Sequence, residues 1–139
     1  MKGEGKVERF DKLLRGMDLE FFGTGSHKIS IEKALEMHSK GEALILDIRS
    51  RKENRLLSLG FAKSIPANEI PDRLGEIPKD LTIAILCTSS VRASVVYAYL
   101  LLNGYEKARV MTEGLRDIAG TLKPGYVRKY IMNPEDEVE

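Results

Sequence analysis

The sequence predicts an α/β domain with a mostly parallel central sheet, flanked by helices on both faces. Three observations predict it. Ala43-Leu44-Ile45-Leu46 and Ile83-Ala84-Ile85-Leu86 are short, unbroken apolar runs, the pattern of strands buried on both faces. Segments with apolar residues at helical spacing stand between and around them. Turn signals such as Gly41, Pro66 and Asn103-Gly104 separate the two kinds of segment. Strand-helix alternation of this sort builds layered α/β domains.

The chain of 139 residues suits one domain around one core. Hydrophobic residues make up 42% and charged residues 31%, an ordinary globular composition. Lys and Arg number 22 against 21 Asp and Glu, a net charge of +1. That balance argues against broad attraction to nucleic acid or to a membrane surface. The single cysteine, Cys87, excludes an internal disulfide. No apolar run is long enough to span a bilayer, and the N-terminus lacks a signal-type apolar core. The expected location is cytoplasmic.

Residues 1–28 read as an N-terminal extension. Its first five residues are expected to be disordered. Val7, Phe10, Leu13, Leu14 and Met17 then share a helical face, which predicts an amphipathic helix over residues 6–17. Such a face caps a core or meets a partner subunit, and core capping is the commoner use. A homo-oligomer formed through the extension is the other possibility. The apolar residues between 13 and 22 need cover, so the extension is expected to dock.

The domain proper is assigned to residues 29–131, followed by an acidic, mobile tail over 132–139. Ile29 opens a short edge strand. Ser30 is an N-cap for a helix over 31–39, with Glu32 in its first turn and Gly41 past its end. His27 and His38 have no partners at metal-ligand spacing, so both read as structural. The strand 43–46 ends on Asp47. Asp47 and Arg49 read as a structural ion pair or helix cap at the strand's carboxyl end, the edge where α/β sheets bind ligands. A charged stretch over 51–55 is expected next, then a short helix to Leu59. Residues 62–65 suggest a strand stopped by Pro66, and 69–74 a short helix between Pro71 and Pro78. After the central strand and its helix come a strand over 107–111, a helix over 115–119 halted by Gly120, and a last helix over 124–131.

The centre of the chain carries the chemistry. The run 83–86 ends on Cys87; Thr88, Ser89, Ser90, Val91 and Arg92 follow, and an apolar helix runs from 91 to 102. A helix's first turn leaves N–H groups unpartnered and carries partial positive charge, so it stabilises an anion. A thiolate is such an anion, and this setting with a nearby cation lowers a cysteine pKa. Cys87 is therefore the candidate nucleophile. A small buried hydrophobe at a strand end is the alternative; Arg92 and the run of hydroxyls favour the reactive reading.

These residues resemble the single-domain rhodanese-like sulfurtransferase family. Asp47-Ile48-Arg49 with Glu53 resembles its D-[VI]-R strand end, and Ala62-Lys63-Ser64-Ile65-Pro66 a remnant of its A-x-x-I-P strand. Cys87 to Arg92 resembles its active loop, C-x-x-x-x-R, and Gly104-Tyr105 through Glu113-Gly114 the segment before the last helices. The resemblance implies that Cys87 carries sulfur. A sulfane sulfur from thiosulfate or a persulfide donor becomes a Cys87 persulfide and passes to a thiol or cyanide. Thr88, Ser89, Ser90, Val91 and Arg92 would bind substrate, Asp47 and Arg49 would support the site, and no metal or organic cofactor is required. The implied partners are small sulfur compounds or a persulfide-carrying protein.

Cysteine-type phosphatases resemble a loop one residue longer, whose ring admits a phosphoryl group; this shorter loop suits sulfur. The chain also departs from the pattern. Thr88 and Ser90 stand where the family often has a basic residue and a glycine, leaving Arg92 as the loop's one cation. Glu113 replaces a glycine and Ile118 a tryptophan. A doubly charged donor such as thiosulfate is then held less well. The alternative function is a weakly active or inactive rhodanese-like module that binds a partner or senses redox state.

Overall fold

A computed structural model describes residues 5–86 and 88–131. The extension holds two helices, α1 (Lys6–Arg15) and α2 (Leu19–Gly23). Strand β1 (Lys28–Ile29) leads into α3 (Ile31–Ser39) and β2 (Ala43–Asp47). Next come α4 (Arg51–Leu56), β3 (Lys63–Ser64), a 3₁₀ segment (Ala67–Glu76) and β4 (Thr82–Leu86). Then follow α5 (Ser90–Leu102), β5 (Ala108–Met111), α6 (Leu115–Thr121) and α7 (Pro124–Tyr130).

Among the described residues, five strands form one parallel sheet in the order β1-β5-β4-β2-β3. Side chains alternate across it, and each face supports a core. On one face Leu46, Ile83, Ile85 and Val110 meet Ala93, Val96, Tyr97 and Leu100 of α5, with Ile70 of the 3₁₀ segment and Ile77 just after it. On the other, Ile45, Ala84, Leu86 and Met111 meet Ile31, Ala34 and Leu35 of α3 and Ile118 of α6. Burial on both faces is why β2 and β4 read as unbroken apolar runs rather than alternating ones.

The local signals that define α3 act as expected. Ser30 Oγ accepts from Lys33 N at 3.1 Å, and Gly41 takes the positive φ of +72° that reverses the chain. At the end of α5, Gly104 turns with φ +87°, and Tyr105 folds back so that its hydroxyl lies 2.9 and 2.8 Å from the Leu74 and Ile77 carbonyls. That contact ties the 3₁₀ segment to the sheet. His27 packs against the rings of Phe21 and Phe22, and His38 Nδ1 lies 3.4 Å from the Ala43 carbonyl.

Several expectations are corrected. Helix α4 stops at Leu56 instead of Leu59, because Leu57 turns extended and its carbonyl accepts from Arg49 Nη2 at 2.7 Å. Pro71 lies inside the 3₁₀ segment, whose tighter winding is kinked at Arg73. Gly120 does not halt α6: buried Ile118 anchors it, and Thr121 Oγ1 donates back to the Asp117 carbonyl at 3.1 Å. Docking of the extension is partial. Met17 and Phe21 pack onto the α5-side core, while Val7, Leu14 and Leu19 stay exposed. The expected disorder of the first residues and the mobile acidic tail fall on 1–4 and 132–139, outside the described residues, except for Gly5.

Candidate active site

The described residues of the predicted site lie at or just beyond the carboxyl ends of β2 and β4. Asp47 of β2 pairs with Leu86 of β4 across the sheet, and Ile48 N donates to the Leu86 carbonyl at 3.2 Å. Leu86 is fully buried, and α5 starts at Ser90. Cys87, the expected nucleophile, lies outside the described residues; Thr88 to Arg92 are described.

Asp47 and Arg49 form the buried foundation. They are 0% and 1% exposed. Arg49 Nη2 donates to Asp47 Oδ2 at 2.8 Å and Nε to Oδ1 at 3.0 Å; the Arg49 backbone N–H adds a bond to Oδ1 at 3.1 Å. Asn54 Nδ2 reaches the same carboxylate at 3.1 Å. A buried pair needs this degree of satisfaction to hold its charges. Through Asn54 and the Leu57 carbonyl it fixes α4 beneath the loop.

Helix α4 supplies the next contact. Ser50 Oγ accepts from Glu53 N, and Glu53 Oε1 accepts from Ser50 N, at 3.2 and 3.1 Å, a reciprocal capping box. The same Glu53 carboxylate receives Arg92 through both guanidinium nitrogens, at 2.7 and 2.9 Å. Arg92 Nη2 also donates to Thr88 Oγ1 at 2.8 Å. The Arg92 guanidinium, then the two Ser50 contacts, hold the Glu53 carboxyl at about 2, well below its ordinary value. A planar, forked cation suits this two-sided grip where lysine does not. Arg92 thus braces the loop, binding its beginning at Thr88 and the α4 carboxylate together.

The remaining loop residues differ in exposure. Thr88, Ser90 and Val91 are exposed, and Ser89 is half-buried. Ser89 sits at the N-cap of α5 with extended backbone, φ −123° and ψ 123°, but its side chain makes no capping bond. Ser30, Ser50 and Asp18 all cap their helices. At α5 the cap side chain adds no such bond.

Two contacts escaped the sequence reading. Glu53 was recognisable beside Asp47-Ile48-Arg49, but its partner Arg92 is distant in sequence. Glu113, read as a departure from a glycine, accepts from Ile31 N at 2.7 Å and so secures the start of α3. Ile118, in place of a tryptophan, is buried at 1% exposure. In sequence Glu113 stands before α6 and 82 residues from Ile31, so no local signal announces the contact.

The Rhodanese-like domain family model matches residues 30–121. The chain belongs to the rhodanese-like sulfurtransferase family. A curated relative from Allochromatium vinosum, named a sulfurtransferase, is 34% identical over 74 residues, covering 53% of this chain and 69% of that one. Among solved structures, a human single-domain sulfurtransferase has a TM-score of 0.62 at 21% identity, with 71% of this rhodanese-like chain and 100% of that one covered. A single-domain sulfurtransferase from Saccharomyces cerevisiae has a TM-score of 0.54 at 21% identity, covering 66% and 87%. These structural likenesses bear on the fold. Among the described residues, no helix is long and apolar enough to cross a membrane.

Proposed function

We propose that this protein moves a sulfane sulfur from thiosulfate or a persulfide donor to a thiol or cyanide through a persulfide on Cys87. The observation that carries the reading is the braced but uncapped start of α5. Arg92, Glu53 and Thr88 fix the loop, while Ser89 leaves the first-turn amides without its side chain. Amides converging at a helix start stabilise an anion, and both the thiolate and the persulfide are anions.

The steps balance. The Cys87 thiolate attacks the outer sulfur of the donor. The donor's S–S bond breaks, and its electron pair leaves as sulfite from thiosulfate or as a thiolate from a persulfide. Cyanide then attacks the terminal sulfur of the Cys87 persulfide, releasing thiocyanate and restoring the thiolate. Amides of residues 88–92 hold the negative charge throughout, and the Ser89 and Ser90 hydroxyls add donors. Asp47 and Arg49 act one layer below, by keeping α4 and hence Glu53 in place. The partners implied are small sulfur compounds or a persulfide-carrying protein.

Intact mass after incubation with a sulfur donor tests this. One added sulfur is expected on the parent and none on Cys87→Ser. No adduct on the parent with thiosulfate or any persulfide donor overturns the reading.

A further inference from the structure

Beside the loop lies a second feature that sulfur transfer alone does not require. A cleft of about 290 Å³ opens between α5 and the 3₁₀ segment, lined by Ile70, Pro71, Val91, Arg92, Val95 and Tyr99 among others. All of these but Arg92 are apolar or aromatic. Val91 and Val95 stand one helical turn apart and are 71% and 66% exposed. Val91 and Arg92 belong to both the loop and the cleft, so the two are continuous.

Charge and size point to the same occupant. The Arg92 guanidinium, the one cation of the lining, is already matched by the Glu53 carboxylate. A compact dianion such as thiosulfate would find little uncompensated positive charge there. An apolar group would find walls that release water when covered. A cavity of roughly 150 Å³ takes a benzene ring, so this cleft has room for one with its attached sulfur.

We propose that the cleft receives the organic group of the sulfur donor, which makes an organic thiosulfonate or hydropersulfide carrying a phenyl-sized apolar group the preferred donor over thiosulfate. The inference rests on the sulfur-transfer reading above and names the donor class for it. With a thiosulfonate, the Cys87 thiolate attacks the outer sulfur, the bond from that sulfur to the sulfonyl sulfur breaks, and the electron pair leaves with the sulfinate. Two negative charges enter the step and two leave it. Ile70, Pro71, Val95 and Tyr99 set specificity by covering the organic group and take no part in the bond changes.

The test compares benzenethiosulfonate, methanethiosulfonate and thiosulfate as donors, with cyanide as acceptor and thiocyanate as readout. The two thiosulfonates share their reacting atoms and differ only in the group the cleft would hold. Expected is a kcat/KM for the phenyl donor about tenfold or more above that for the methyl donor, carried mainly by KM because the contact is the same before and during reaction. Thiosulfate should rank below the phenyl donor. Val95→Asp, at an exposed position the fold tolerates, should bring the phenyl-to-methyl ratio towards one. Turnover of all donors with equal kcat/KM, or a ratio that Val95→Asp leaves intact, overturns this inference and leaves sulfur transfer standing. No thiocyanate and no added sulfur on Cys87 from any donor overturns both.

Discussion

Helices α4 and α5 start side by side at the same end of the sheet, each behind a serine, and use that serine in opposite ways. Ser50 closes the first turn of α4 in a reciprocal box with Glu53. Ser89, at the equivalent place on α5, makes no side-chain cap. The first arrangement satisfies amides locally and gains stability. The second forgoes that gain. The difference teaches that two helix starts at one end of a sheet need not be finished alike, and that Glu53, bonded to Ser50 and Arg92, links them.

The largest expected effect tests the proposed sulfur carrier at the start of α5. Cys87→Ser should abolish thiocyanate release while its thermal unfolding stays close to that of the parent; residual turnover at the parent's rate would show that the open helix start serves some other group. The next largest strikes the support beneath α4. Asp47→Ala leaves the Arg49 cation buried without its carboxylate and should cost about 3–5 kcal/mol in urea unfolding. A change below about 1 kcal/mol would place the support elsewhere.

Glu53→Gln cuts the link between the two helix starts. It should lower sulfur transfer by about tenfold as the loop loses its brace, a fall of about 1.4 kcal/mol in transition-state binding. It also carries a pH signature. The Glu53 carboxyl is depressed to about 2 in the folded protein, so its contribution is present above the ordinary carboxylate range and is lost as pH falls through about 2. The stability gap between parent and Glu53→Gln should therefore be full near neutral pH and close only in strong acid. A gap that closes above pH ~4 would mean the pairing with Arg92 is loose in solution.

The smallest effect is the sharpest test of the comparison itself. Ser50→Ala should cost about 1 kcal/mol, whereas Ser89→Ala, which removes no cap, should stay within about 0.5 kcal/mol. Equal losses in paired urea titrations would erase the distinction between the two helix starts.

Much of the scaffold is a local matter and was legible in residue order. The strands β2 and β4 follow from short apolar runs, and α3 from Ser30 before a periodic segment with Gly41 beyond it. The loop between β4 and α5 follows from a polar stretch between strand and helix patterns. Local rules failed where a distant group took over a backbone bond or an anchor. The helix expected to reach Leu59 ends at Leu56 because Arg49, from the preceding strand end, claims the Leu57 carbonyl. Gly120 fails to stop α6 because Ile118 is already buried against the sheet.

The sequence by itself determined the α/β alternation, the parallel habit of the sheet and the place of a lone thiol before a helix, because periodicity, capping and composition act between near neighbours. Only the tertiary structure decided what Arg92 does. Read along the chain it is a loop cation that stabilises the loop or meets the donor's charge; folded, it grips Glu53 and Thr88. The reason is geometric: sheet order brings the ends of β2 and β4 together. A charge's partner, and hence its chemistry, is set by that proximity in space and not by its neighbours in sequence.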